Sequence, residues 1–313
     1  MTGTVVRAGN AHKRVNLFKN ICTYPILYLM VLPALAYYIL FHYMPMFGLV
    51  IAFQDYKVVH GFLGSEWVGL KHFHSFLGDA YFLRTLRNTL LISIYQLLWG
   101  FPVPILFALF LNEVRSKSFV RVTQTIVYIP HFISAVVMCS LIRTLCGANG
   151  PISGVMQLFG MPKTDLLGTA RYFRTVYVTA EIWQEFGWGS IIYFAALTGI
   201  DPALYEAATL DGANRFQKAW HISLPGILPT IVILLILKIG NIMSIGWEKI
   251  ILLYNPMTYE TADVISTYSY RRGLQNLEYS YASAISFFNG VINLVLILGA
   301  NAISRKLNDT SLW

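Results

Sequence analysis

The stretch Glu206–Pro225, EAATLDGANRFQKAWHISLP, decides the fold, because it is a polar passage set between two long hydrophobic runs. Just upstream, Asp201-Pro202 is a helix start. An aspartate at the N-cap accepts from free backbone N–H groups, and a proline in the first turn gives up an N–H that would be unpaired anyway. Ala203 to Leu210 are mostly strong helix formers. Gly212 can take the positive φ that ends a short helix and lets the chain reverse. A second short helix is predicted from about Ala213 to His221, stopped by Pro225. The passage therefore reads as a helix–turn–helix elbow.

What flanks the elbow sets the class. Of 313 residues, 56% are hydrophobic and only 12% charged, with a mean hydropathy of +0.56. A soluble domain carries about a quarter charged residues. The apolar residues gather in runs long enough to cross a bilayer, which takes about 20 residues per helix. Six spans are predicted: Tyr24 to Tyr43, Asn88 to Leu111, Thr123 to Leu145, Phe173 to Leu197, Gly226 to Leu253 and Ala282 to Ile303. No alternating strand pattern with frequent turns supports a β-barrel. The expected fold class is an all-α polytopic membrane protein with six transmembrane helices. Residues 1–22 are expected to be a cytoplasmic N-terminal segment, 23–304 the transmembrane domain with the elbow at 201–225, and 305–313 a cytoplasmic tail.

Basic residues set the orientation. Arg7, Lys13, Arg14 and Lys19 precede the first span, and Arg115, Lys117 and Arg121 fill the short loop after the second. Arg215 and Lys218 lie in the elbow, and Arg305 and Lys306 follow the last span. Placing these groups inside obeys the positive-inside rule and puts both termini and the elbow in the cytoplasm. The net charge of +8 fits that topology and anionic lipid headgroups, and gives no support to nucleic-acid binding. Ala34-Leu35-Ala36 resembles a signal-peptide cleavage site, but the apolar run continues to Phe41, so an uncleaved span is expected. Cys22, Cys139 and Cys146 form no Cys-x-x-Cys pair and read as small hydrophobes rather than as a disulfide or metal site.

No Gly-x4-Gly-Lys-[Ser/Thr] phosphate loop, His-Glu-x-x-His or Gly-x-Ser-x-Gly occurs, so the chain is expected to hold no cofactor or metal and to hydrolyse no ATP. Polar residues inside spans are more informative, since a charge at mid-bilayer normally faces a cavity or a partner. On the fourth span, Glu181, Gln184, Glu185 and Trp188 share one helical face. On the fifth, Lys238, Asn241, Ser244 and Glu248 lie close to one face beside Trp247, and Asn289 and Asn293 are one turn apart on the sixth. Polar groups beside aromatic rings suit a sugar, whose hydroxyls hydrogen-bond while its C–H faces stack. Trp183, Glu185, Trp188, Asn241, Ser244, Trp247, Glu248, Asn289 and Asn293 are therefore the expected substrate path. The competing reading is that these groups hydrogen-bond neighbouring helices, that Glu181, Glu185 and Glu248 pair with Lys249, and that Trp183 belongs to an interfacial aromatic belt.

Within the elbow, Glu206-Ala207-Ala208, Gly212 and Ile222-x-Leu224-Pro225 resemble the EAA-x3-G-x9-I-x-LP loop of ABC-importer permeases at every defined position. Ile51–Tyr56, Trp67–Leu70, Leu111–Arg115, Tyr128–Ser134 and Tyr268–Leu274 are similar to carbohydrate-importer permeases, closest to the oligosaccharide and polysaccharide branch often labelled LplB-like. The resemblance implies the type I importer (MetI-like) permease fold and a bacterial cytoplasmic-membrane location. It implies a second homologous permease chain, a dimeric cytosolic ATPase that binds ATP and Mg, an extracytoplasmic solute-binding protein and an oligosaccharide substrate. It also implies that Tyr205, Glu206, Ala207, Ala208, Asp211, Gly212 and Ala213 couple to the ATPase. An amino-acid or peptide importer would carry a similar elbow, and a polytopic membrane enzyme is the alternative from another class. Arg271, Arg272 and other arginines outside the spans could favour acidic sugar chains or meet an acidic binding protein.

Overall fold

The computed structural model describes residues 25–308 and 311–312. The predicted segment 1–22, with Cys22, lies outside the described residues. The chain divides into two compact units, ending at Val50 and starting at Ile51. The first contains α1 (Pro25–Tyr38), which continues through a π turn at Ile39–Tyr43 and through Met44–Met46. None of these side chains is buried, and they are apolar on every side, as suits a helix in lipid.

The second unit opens on a two-stranded hairpin, β1 (Gln54–Asp55) antiparallel to β2 (Glu66–Trp67), with Gln54 opposite Trp67. It continues with α2 (Lys71–Leu77), α3 (Phe82–Tyr95), α4 (Pro102–Asn112), α5 (Lys117–Tyr128), α6 (Ala135–Cys146), α7 (Pro151–Leu158) and α8 (Ala170–Thr198). The elbow supplies α9 (Pro202–Leu210) and α10 (Arg215–Lys218). Last come α11 (Leu228–Gly240), α12 (Trp247–Leu253), α13 (Ile265–Tyr270) and α14 (Tyr279–Asn308).

Among the described residues, four helical runs are long and apolar enough to cross a membrane: Pro25–Phe53, Phe82–Asn112, Ala135–Leu158 and Tyr279–Lys306. The pair Arg215–Gly226 and Leu228–Gly240, bent by 60°, makes a fifth if counted as one span. The 29-residue α8 is long enough, about 44 Å at 1.5 Å per residue, but carries Arg171, Arg174, Glu181 and Glu185.

Two of the six predicted spans are not continuous. The third, read as Thr123 to Leu145, leaves the α-helix for a 3-10 turn at Ile129–Phe132. Pro130 lacks an N–H and crowds the carbonyl four residues back, and Ser134 restarts the helix by accepting from the Val137 N–H. The fifth, read as Gly226 to Leu253, is interrupted at Asn241–Gly246. Gly240 precedes the interruption where α11 packs closely on α14: a Cβ there would lie 2.8 Å from Ile297 Cδ1. Pro225 does not stop the elbow's second helix, which runs on to Gly226 through a π turn at Ala219–Ser223. The bend falls at Ile227, because Pro229 cannot donate back to residue 225 and starts α11 instead.

Three buried clusters hold the second unit together. One joins Ile92, Met138, Phe173, Tyr177 and Ile250, and another joins Phe76, Met243, Ile265 and Ile285. The third, Ile105, Ala108, Tyr193, Leu197 and Ile227, sits at the elbow end, with Ile200 and Leu224 packed against it. Helices α5 and α8 touch almost backbone to backbone: a Cβ on Gly187 would lie 2.2 Å from the Val127 carbonyl oxygen.

The end of the bundle remote from the elbow is closed by a polar core. Asp263 is fully buried and accepts from Arg271 Nη1 at 2.8 Å and Nη2 at 2.6 Å, from Arg84 at 3.2 Å and from Thr267 Oγ1 at 2.8 Å. Burial works against the charge on Arg271, but the Asp263 carboxylate and the Tyr254 hydroxyl outweigh it and hold its pKa well above the usual value. Asn88 donates to the Glu260 and Asp263 carbonyls and accepts from Arg174 at 2.7 Å. Arg272 pairs with Glu278 at 2.6 Å and lies over the Tyr281 ring. Arg84, Arg174, Arg271 and Arg272 thus all find partners within the fold. Asp79 accepts from the Tyr268 and Tyr281 hydroxyls at 2.6 and 2.9 Å. Burial raises its pKa, but these bonds, the Tyr81 N–H and the charge of Arg272 pull it below the ordinary value.

Candidate functional site

Two regions carry the polar chemistry: the elbow and the interrupted fifth span. In the elbow, Asp201 accepts from the Ala203 N–H at 2.9 Å and Pro202 takes the first turn of α9. The helix ends in a Schellman motif. Gly212 has φ +80°, its N–H donates to the Thr209 carbonyl, and the Ala213 N–H reaches back to the Ala208 carbonyl at 2.9 Å. Asn214 and Gln217 then form a capping box that opens α10. Lys218 Nζ donates to Thr209 Oγ1 at 2.9 Å, and the Tyr205 and Ser223 hydroxyls share a hydrogen bond, so the two arms are cross-braced. A hollow of about 290 Å³ lies in the crook, lined by Ala208, Asp211, Gly212, Ala213, Gln217 and His221 among others. Glu206 and Ala207 are exposed, as are the large apolar side chains of Leu204, Leu210, Phe216 and Trp220.

The interruption at 241–246 is a junction of side chains from four helices. Ser93 donates to the Ile242 carbonyl, Ser266 to the Ile245 carbonyl and Tyr177 toward the Gly246 carbonyl. Asn293 accepts from the Met243 N–H at 3.1 Å and donates to Ser244 Oγ at 2.9 Å. Irregular backbone at membrane depth is tolerated where protein groups satisfy it or where it lines a cavity. Here side chains satisfy it, while Asn241, Ser244, Trp247 and Glu248 remain exposed.

Two cavities that set polar groups in largely apolar walls lie beside the junction. The first, about 460 Å³, is walled by Gln96, Glu181, Glu185, Trp188, Tyr193 and Lys238, with apolar residues of α4 and α8 between them. Its carboxylates are partnered: Lys249 holds Glu181 at 2.5 Å and His131 Nδ1 meets Glu185 at 2.9 Å. The His131 ring stacks on Trp188, 4.5 Å between centroids and 1° from parallel. The second cavity, about 400 Å³, is walled by Trp247, Tyr270, Asn289 and four serines, Ser266, Ser269, Ser283 and Ser286. Trp247 and Tyr270 stack at 5.0 Å, and the buried Asn289 Oδ1 has no partner among the described residues.

The predicted path residues separate accordingly. Glu185 and Trp188 line the first cavity, and Trp247 and Asn289 the second. Trp183 lines a different, apolar hollow with Met138, Leu141 and Ile152. Asn241 and Ser244 do not continue a helical stripe, because the helix is broken beneath them; Asn241 Nδ2 turns back to the Leu237 carbonyl at 3.1 Å. Glu181 makes the ion pair with Lys249 that the competing reading named, and buried Gln184 donates to the Ile133 carbonyl. His131, Gln96 and Tyr270 were missed. The serines were legible as two pairs at helical spacing, 266/269 and 283/286. His131 had no such signal, because Pro130 turns it toward a helix 54 residues away.

Residues 100–309 match the family described as binding-protein-dependent transport system inner membrane component. The chain belongs to that family. The permease is 44% identical to the polygalacturonan/rhamnogalacturonan transport system permease protein YteP of Bacillus subtilis, over 96% of this chain and 94% of the relative. It is 41% identical to protein LplB of the same organism, over 92% and 91% of the two chains. Among solved structures it superposes on a chain of a bacterial ABC transporter involved in import of the acidic polysaccharide alginate. That match has a TM-score of 0.85 and 44% identity, and covers 93% of the permease and 99% of the other chain. The permease therefore has the all-α type I importer fold and is a transport subunit rather than an enzyme.

Asn293 holds the junction, so Asn293→Ala is expected to lower the stability of the permease by about 1–3 kcal/mol, the cost of orphaning a buried backbone N–H. Half-saturation for transport should stay unchanged. Melting and uptake measured on the same variant check this; an unchanged melting temperature with a raised half-saturating concentration would make Asn293 a cargo contact instead.

Proposed function

We propose that this permease imports oligosaccharides derived from acidic polysaccharides, as one of two homologous membrane subunits. A pair of cytosolic ATPase chains, which hold the ATP and Mg, and an extracytoplasmic solute-binding protein complete the assembly. Both termini and the elbow lie in the cytoplasm. The elbow docks on the ATPase through Tyr205, Glu206, Ala207, Ala208, Asp211, Gly212 and Ala213, with its uncovered apolar side chains beside them. ATP-driven closure moves this braced unit as a rigid body, and α11 carries the motion into the bundle. Sugar passes through the two cavities, with Glu185, Trp188, Trp247 and Asn289 as its contacts and Glu248, next to Trp247 in the chain, as a further one. The observation that carries the reading is the near-full-length likeness to permeases of polygalacturonan and alginate importers. The polar groups in these walls, with ring faces beside them, support it.

The test is uptake by the assembled complex in proteoliposomes. Labelled oligogalacturonide or oligoalginate should enter in an ATP-dependent and binding-protein-dependent way. Uptake of oligopeptides in place of either sugar would overturn the reading.

A further inference from the structure

We infer that Lys238 is the residue that reads the cargo's carboxylate inside the membrane. This deepens the oligosaccharide reading and rests on it. Three charged side chains wall the first cavity: Glu181, Glu185 and Lys238. Glu181 is held by Lys249 at 2.5 Å and Glu185 by His131 at 2.9 Å. Lys238 is exposed and has no acidic partner among the described residues.

Its depth makes that unusual. Lys238 is the eleventh residue of α11, whose first residue, Leu228, follows the bend at the elbow end. At 1.5 Å per residue it stands about 15 Å along the helix, near the middle of a hydrocarbon core of about 30 Å. An unpaired ammonium at that depth is costly and marks a path or a site. Leu234, one turn back on the same helix, lines the same cavity, so this face of α11 points into it.

The remaining wall suits the rest of a uronic acid. Trp188 offers a half-exposed ring backed by His131. The free oxygen of Glu185 can accept from sugar hydroxyls, and Gln96 can donate or accept. The cavity, about 460 Å³, falls in the range of small-molecule sites. A neutral sugar would use the ring and the hydroxyl partners but would leave the ammonium unanswered. A uronate places its carboxylate there as a charge-assisted hydrogen bond.

The experiment uses the full complex in proteoliposomes, with the wild type, Lys238→Gln and Lys238→Arg. The probes are a labelled oligogalacturonide and the same chain with its carboxyl groups reduced to alcohols. Lys238→Gln should lower uptake of the uronide by roughly tenfold or more, the effect of losing one hydrogen bond to a charged group. Lys238→Arg should keep most of it, uptake of the reduced chain should not change, and the melting temperature of the complex should stay the same. Uronide uptake by Lys238→Gln within twofold of wild type would overturn the proposal. So would equal loss with both probes, or an arginine variant as poor as the glutamine one. If the binding protein does not deliver the reduced chain, the contrast between arginine and glutamine decides alone. If the wild type imports neither probe, oligoalginate and its reduced form take their place; if those fail too, the oligosaccharide reading itself fails, and the proposal fails with it.

Discussion

Replacing Asp263 with alanine should be among the most destabilising single changes in the permease, costing about 3–5 kcal/mol, the usual loss when one partner of a buried ion pair is removed. The carboxylate is fully buried and takes both terminal nitrogens of Arg271, one of Arg84 and the Thr267 hydroxyl. Without it, Arg271 stays in a pocket of tyrosine rings with its charge unanswered. Thermal melting of the purified protein measures the loss. The double variant Asp263→Ala/Arg271→Met should recover part of it, because removing both partners leaves no buried charge in that pocket, although Arg84 still loses a ligand. A double variant no more stable than the single one would show that the pair is not the source of the effect.

The elbow should be indispensable to coupling and dispensable to folding. Glu206→Ala with Gly212→Leu is expected to leave a permease that inserts and assembles, but whose transport and binding-protein-stimulated ATP hydrolysis fall at least tenfold. Around Gly212 the space is open, so leucine meets no clash there. What it meets is the φ of +80°, and the left-handed region costs a side-chain-bearing residue roughly 1–2 kcal/mol. Relief of that strain undoes the Schellman bonds and swings α10 away from α9. Gly212→Asn with Glu206 intact should retain coupling, since asparagine visits this region readily. Normal uptake and normal stimulated hydrolysis in the double variant would remove the elbow from the coupling path.

The elbow was readable because its determinants are local: an N-cap, a turn glycine and a spacing. The same holds for the apolar runs. The interruptions at 129–134 and 241–246 were not read, because hydropathy stays high through them while the backbone leaves the helix. The cause of the second is partly tertiary, in Ser93, Ser266 and Asn293, which replace helical hydrogen bonds from far along the chain. The fates of Arg271 and His131 were equally hidden. One pairs with a carboxylate eight residues away across the short helix α13, the other with a carboxylate on another helix. Counting charges in a loop reveals neither.

The interruption in the fifth span has a mechanical consequence. An intact helix can flex sharply only by giving up backbone hydrogen bonds, at about 0.5–1.5 kcal/mol for each one. Here that loss has already been made good by fixed side chains. The upper piece is moored by Lys249 to Glu181 and by Cys139 and Arg143 to the Lys249 and Leu252 carbonyls. The lower piece runs straight into the elbow through the bend at Ile227. If the elbow moves as proposed, the two pieces can turn about the junction like an oar in a rowlock, the moored upper piece holding still while the lower one swings.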